Sequence, residues 1–149
     1  MPAIRGLYLE DIAVGMSAAY RKTVTHDDIV KFSEITGDVN PVHLDEAYAN
    51  STIFKTRIAH GMLSAGFIST VFGTKLPGPG AIYVSQNLRF KAPVRIGDEV
   101  TADCTVREID HERAFVIFDC VCRVGDTVVI NGDARIMVPR RPVEMAAAE

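Results

Sequence analysis

Asp38 and His43 stand five residues apart in the segment GDVNPVH. A carboxylate and an imidazole at that spacing converge on one water if the chain between them bends, and Asn40–Pro41 supplies a bend. Histidine titrates closest to neutral pH and is the default carrier of protons. On spacing alone a local reading stands beside this one, because Asp and Asn are common in turns for their own backbone hydrogen bonds. His60–Gly61 opens the most apolar stretch, HGMLSAGFISTVFG. If a helix starts there, its first amides lack partners inside the helix and can face negative charge developing on a substrate oxygen. Gly61 would let that substrate approach the backbone, or would merely ease the start of a buried helix. His60 would cap the helix or be a satisfied core histidine. Ser69, eight residues on, would bond back to a carbonyl one turn earlier or orient Asp38. His26 and His111 read as exposed and structural.

These groups need elements to position them. Thr25 followed by Asp28 is a helix-start pair, and Ile29, Val30, Phe32 and Ile35 recur at helical spacing up to Thr36. Gly37 stops that helix. Residues 37–41 form a turn-rich segment, DEAYAN (45–50) suggests another helical turn, and Ile53 and Phe54 read as loop anchors. The stretch from Gly61 to Gly73 predicts a buried helix. Its glycines each cost about 1 kcal/mol against alanine, which burial must offset. After the loop LPGPG, four β-rich runs follow: Ala81–Lys91, Glu99–Ile109, Ala114–Cys122 and Thr127–Val138. Turn signals at Arg95–Asp98, Asp110–Arg113 and Gly125–Asp126 separate the later runs and predict an antiparallel meander. With an early strand over Ser17–Thr25, the expectation is an α+β layer of about five strands with one buried helix on it. An exposed sheet edge favours dimerisation.

The chain has 149 residues, 48% hydrophobic and 23% charged, with net charge −3. That suits one domain, taken as 1–138, with a frayed tail over 139–149. No basic field is available to bind nucleic acid. Cys104, Cys120 and Cys122 are neither a disulfide framework nor a good zinc site, and they read as small apolar strand residues. The first residues lack a secretory pattern, and no apolar run approaches the ~20 residues of a membrane span. The expected compartment is the reducing cytoplasm. No phosphate loop, dinucleotide fingerprint or Gly-x-Ser-x-Gly elbow occurs.

The segments ITGDVNPVHLDEAYA, HGML and LPGPGAIYVSQNLRFKAPVRIGDEV together resemble the MaoC-like dehydratase family, and within it the short (R)-specific enoyl-CoA hydratases. The resemblance implies a hot-dog fold, an antiparallel sheet wrapped around a central helix. It implies addition of water to trans-2-enoyl-CoA, with no metal and no redox cofactor, and commonly a homodimer joined sheet edge to sheet edge. Residue by residue, it puts the catalytic pair on Asp38 and His43 and a site-shaping asparagine on Asn40. It puts the oxyanion glycine on Gly61 and the serine supporting the aspartate on Ser69. Phe72 shares a helix face with Ser69, so it either closes the far end of an acyl tunnel, favouring short chains, or only packs in the core. The alternative is a 3-hydroxyacyl carrier-protein dehydratase. Arg89, Lys91 and Arg95 would then face an acidic carrier, although they could equally hold the phosphates of CoA. A thioesterase and a non-catalytic acyl-CoA-binding subunit are further readings. The pathway, polyhydroxyalkanoate synthesis or fatty-acid breakdown, and any assembly beyond a dimer stay open.

Overall fold

Thr25 and Asp28 start the first helix as their spacing predicts. Asp28 N–H donates to Thr25 Oγ1 at 3.1 Å and Thr25 N–H donates to Asp28 Oδ2 at 2.9 Å. In this computed structural model, which describes residues 4–143, the helix is α1 (His26–Thr36). It ends at Gly37, whose φ of +79° suits a residue without a side chain. The turn-rich segment that follows is more ordered than expected. Asn40 Oδ1 accepts from Val42 N–H, and Pro41 occupies a first-turn position where no N–H is needed, giving the short helix α2 (Pro41–Leu44). Asp45 caps the next one, α3 (Glu46–Asn50).

The long helix α4 (Gly61–Thr74) buries Ser64, Ala65, Phe67, Ile68, Val71 and Phe72. Buried residues on several sides mark a central helix rather than a surface one. It lies against a five-stranded antiparallel sheet: β1 (Ser17–Thr23), β2 (Ile82–Phe90), β3 (Glu99–Asp110), β4 (Phe115–Val124) and β5 (Thr127–Met137). Val100, Ala102, Cys104 and Val106 of β3 and Val116, Phe118, Cys120 and Cys122 of β4 are buried, at the period of two expected for a half-buried sheet. Outward residues pair across strands, as in the Arg107–Asp119 ion pair at 2.8 Å. The three cysteines are buried and free, in keeping with their reading as apolar strand residues, and burial pushes the Cys122 thiol up to about 12. This is the hot-dog arrangement that the resemblance implies.

Strand order corrects one expectation. It is β1-β3-β4-β5-β2, so the meander covers β3 to β5 alone. β2 pairs with β5 at the far edge, and residues 91–98 carry the chain to the opposite side. That crossing is anchored on the segment before α4, through Ala59 N–H to Val94 O at 2.7 Å and an Ile58–Arg95 bridge. A Cβ at Gly132 of β5 would sit 1.8 Å from Asn87 O of β2, so the pairing rests on a close approach that local strand signals do not encode.

Two smaller expectations also change. Ile53 is exposed rather than an anchor, while Phe54 lines a cavity. The start of the tail is tied down: Leu9 N–H donates to Pro139 O, Arg141 N–H to the Glu10 carboxylate, and Arg141 pairs with Asp11. The tail's last residues, from 144, lie outside the described residues. Among the described residues, no helix is long and apolar enough to cross a membrane.

Candidate active site

Asp38 directly follows the α1 stop. Its N–H donates to Thr36 Oγ1, and its Oδ1 accepts the Asn40 N–H at 3.3 Å. Asn40 thereby links the two predicted partners, since it both binds the Asp38 carboxylate and caps the helix carrying His43. The His43 ring is buried, and its Nδ1 lies 2.8 Å from Ile58 O. A carbonyl can only accept, so Nδ1 carries the proton and the Nε2 lone pair is left open. Arg57 Nε donates to His43 O at 2.6 Å and holds the same helix from behind. Burial is the main cause that lowers the His43 pKa below 6.5. The Ile58 carbonyl and Asp38 oppose it, and His60 and Arg57 add to it.

His60 does not cap α4, and its Nδ1 is buried without a partner. Its Nε2 lies 3.0 Å from Asp38 O and 3.1 Å from Ser33 Oγ. Its ring stacks on His43 with centroids 3.8 Å apart and 28° between planes, and it meets Phe32 at 4.7 Å. One donor atom from each of Asp38, His43 and His60 falls within 4.8 Å of the others. The set does not suit a metal ion. Nearly parallel rings send their lone pairs side by side rather than to a common point, and one nitrogen of each ring already meets a carbonyl. A carboxylate beside an open imidazole nitrogen suits a polarised water.

Gly61 begins α4, where backbone N–H groups have no intrahelical partner. A Cβ there would meet the Phe90 ring at 2.6 Å. Gly61 and Phe90 share a cavity of about 310 Å³ with Phe54, Ile58, Ala59, Lys91, Ala92 and Pro93. Of the three basic residues singled out in the sequence, Lys91 alone lines it. Arg95 instead donates to Phe54 O from its exposed position.

Within one chain Ser69 makes neither of the contacts considered for it. It is exposed, it donates to no carbonyl one turn back, and no hydrogen bond joins it to Asp38 within the chain. The reason is helix rotation. Leu63 and Phe67 face α1, whereas Met62, Gly66 and Ser69 face β2 across a groove of about 440 Å³. Beyond it, Ser69, Phe72, Gly73, Ala81, Tyr83 and Ile136 line a further cavity of about 230 Å³. Phe72 therefore shares a cavity with Ser69, as the helix spacing predicts. Phe72 also packs on Phe118 at 4.7 Å and edge-on to Tyr83 at 5.4 Å.

The sequence reading missed His60, Ser33 and Arg57 as parts of the site. Ser33 lies four residues from buried Ile29, on the core side of α1, a signal that a buried hydroxyl needs a partner.

Known proteins share both sequence and shape with this chain. It is 59% identical over 134 residues to an (R)-specific enoyl-CoA hydratase of Rhodospirillum rubrum, covering 90% of this chain and 93% of that one. It is 51% identical over 141 residues to a 3-hydroxybutyryl-CoA dehydratase of Methylorubrum extorquens, covering 95% and 90%. The solved structure of the R-hydratase PhaJ1 from Pseudomonas aeruginosa superposes with a TM-score of 0.87 at 40% identity, over 93% of this chain and 89% of that one. The MaoC like domain model matches residues 11–129, and the chain belongs to the MaoC-like domain family.

Proposed function

We propose that the protein is an (R)-specific enoyl-CoA hydratase, a hydro-lyase that adds water reversibly to trans-2-enoyl-CoA and gives (R)-3-hydroxyacyl-CoA. The observation that carries this reading is a His43 ring whose Nε2 is left open, with a ring nitrogen within 4.8 Å of an Asp38 carboxylate oxygen, near the start of a buried helix. The Rhodospirillum and Methylorubrum relatives above are named for reactions of this class.

Asp38 and His43 Nε2 hold one water between them. As a proton leaves that water, its oxygen bonds to the β-carbon and the double-bond electrons move toward the thioester oxygen. The α-carbon then takes up a proton, so one water is added and no electrons are gained or lost. The Gly61 N–H, aided by the α4 dipole, faces the charged oxygen, and losing one such donor typically costs about 3 kcal/mol. Asn40 keeps Asp38 and α2 in register.

The acyl chain runs toward the cavities between α4 and β2, with Phe72 closing the far end. That favours short chains, as does the name of the Methylorubrum relative. β2 is an edge strand with Ile82, Tyr83, Val84 and Phe90 exposed, and Met62 is exposed nearby. A second copy covering that edge gives a homodimer. In it, Ser69 supports Asp38 of the partner subunit. Three free cysteines suit the reducing cytoplasm.

The test is loss of the conjugated-thioester absorbance with crotonyl-CoA. Wild type consumes it, and Asp38→Asn and His43→Gln slow it by about a hundredfold or more. Free thiol release without hydration would support a thioesterase. A strong preference for carrier-protein thioesters over CoA thioesters would support the dehydratase alternative.

A further inference from the structure

We propose that His60 is a positioning residue that sets Asp38 and His43 in mutual register, binding the Asp38 main-chain oxygen through Nε2–H and bracing the face of the His43 ring. The inference rests on the hydratase reading of the site.

The argument begins with how loosely Asp38 is otherwise held. It is exposed, on a turn entered through Gly37 at φ +79°. The other hydrogen bonds of residues 37–40 stay within residues 33–43: Gly37 N–H to Ser33 O, Asp38 N–H to Thr36 Oγ1, Val39 N–H to Gly37 O, and those around Asn40. Among the described residues, the bond from His60, 22 residues away, is what ties this turn to the core. His43 needs a second restraint for a different reason. Its bond to Ile58 O fixes one edge of the ring but leaves the ring free to rock about that bond. Stacking on His60 at 3.8 Å fixes the plane. A reacting pair must be held to a fraction of an ångström, and its supporting residues do this.

His60 is itself locked. It is 3% exposed, its Nε2 is within reach of Ser33 Oγ, and Phe32 covers it. It stands at the cap position of α4 without capping, and it buries an unpartnered Nδ1. Both features weaken the fold. A residue selected for stability alone would not combine them, whereas a residue needed at the junction of Asp38 and His43 would.

Two variants divide the roles. His60→Phe keeps a ring against His43 and removes the donor. His60→Gln places an amide N–H the same number of bonds from the backbone and removes the ring. With crotonyl-CoA, His60→Phe lowers kcat about tenfold or more with KM within about threefold, because ground-state binding is untouched. Its Tm stays within a few degrees of wild type. His60→Gln recovers much of that kcat. Asp38, Arg57 and His60 are the charged or titratable groups around His43, and the readout that separates positioning from folding is the kcat loss at little-changed KM together with its recovery in His60→Gln.

A kcat for His60→Phe within threefold of wild type overturns the inference. Should His60→Phe fail to fold, His60→Ala decides in the same assay: a kcat about tenfold or more below wild type at little-changed KM, recovered in His60→Gln, supports the inference, and a kcat within threefold of wild type overturns it. These failures differ from failure of the hydratase reading, in which wild type itself leaves both crotonyl-CoA and longer enoyl-CoAs untouched.

Discussion

The His43 ring donates its Nδ1 proton to the Ile58 carbonyl at 2.8 Å, which turns the opposite nitrogen into the acceptor. This fixes the pH behaviour. Burial holds the His43 pKa below the free-imidazole value of 6.5, so the active, uncharged form persists into mildly acidic solution. The acid limb of kcat/KM is expected below pH 6.5, and a limb at or above that value would contradict the buried ring. Stability follows the same direction. The contribution of uncharged His43 is complete above 6.5 and is lost as pH falls through its lower folded value, because the unfolded chain takes up its proton first. Urea midpoints should therefore fall between pH 7 and pH 5, and His43→Gln should shrink that fall.

Gly61 and Phe90 give a prediction that separates crowding from chemistry. Gly61→Ala places a methyl group 2.6 Å from the Phe90 ring. The ring is half exposed and can move, but it then enters the cavity that both residues line. Overpacking of this kind costs about 1–3 kcal/mol, and kcat/KM should fall with it. Adding Phe90→Ala should restore Tm to the level of Phe90→Ala alone. A Tm loss in Gly61→Ala that persists in the double variant would mean that the strain lies elsewhere.

How far the sequence could be read follows from these distances. Thr25 and Asp28 start α1 through bonds spanning three residues, and their spacing was enough to place it. Asp38 and Asn40 also bond within their own turn, but spacing alone left a local reading open and the family resemblance singled the pair out, while His43 is oriented by Ile58, 15 residues on. His60 reaches Asp38 across 22 residues and Ser33 across 27, and no periodicity encodes such a meeting. The β2–β5 pairing was hidden for a similar reason, since it depends on Gly132 passing close to Asn87. Ser69 is a different case. Counting helical steps from Leu63 and Phe67 separates its face of α4 from the face toward α1, so its distance from Asp38 within the chain was open to inference once α1 was placed.

Phe72 tests the acyl cavity. It is 2% exposed and packs on Phe118 and Tyr83, so Phe72→Ala should cost about 3–5 kcal/mol of stability. Phe72→Leu opens less space at lower cost and serves as the second variant. Both should raise kcat/KM for octenoyl-CoA relative to crotonyl-CoA, by about tenfold or more for Phe72→Ala, since each methylene accommodated is worth about 1–3 kcal/mol. An unchanged ratio in both would assign Phe72 to core packing alone.

Ser69 faces β2 and the exposed sheet edge rather than Asp38 of its own chain, and this makes its role testable by mixing subunits. Asp38→Asn and Ser69→Ala homodimers should each be impaired. If Ser69 serves Asp38 of the partner subunit, a mixed dimer holds one site with both residues intact and one with neither. Co-refolding the two variants should then raise activity above the average of the separate homodimers, toward half of wild type per mixed dimer. If Ser69 served its own chain, the mixed dimer would hold one site of each defective kind, and the average would not be exceeded. Size-exclusion chromatography of the same samples checks the dimer on which the comparison depends. A monomeric active enzyme would remove the basis for assigning Ser69 to the partner's site.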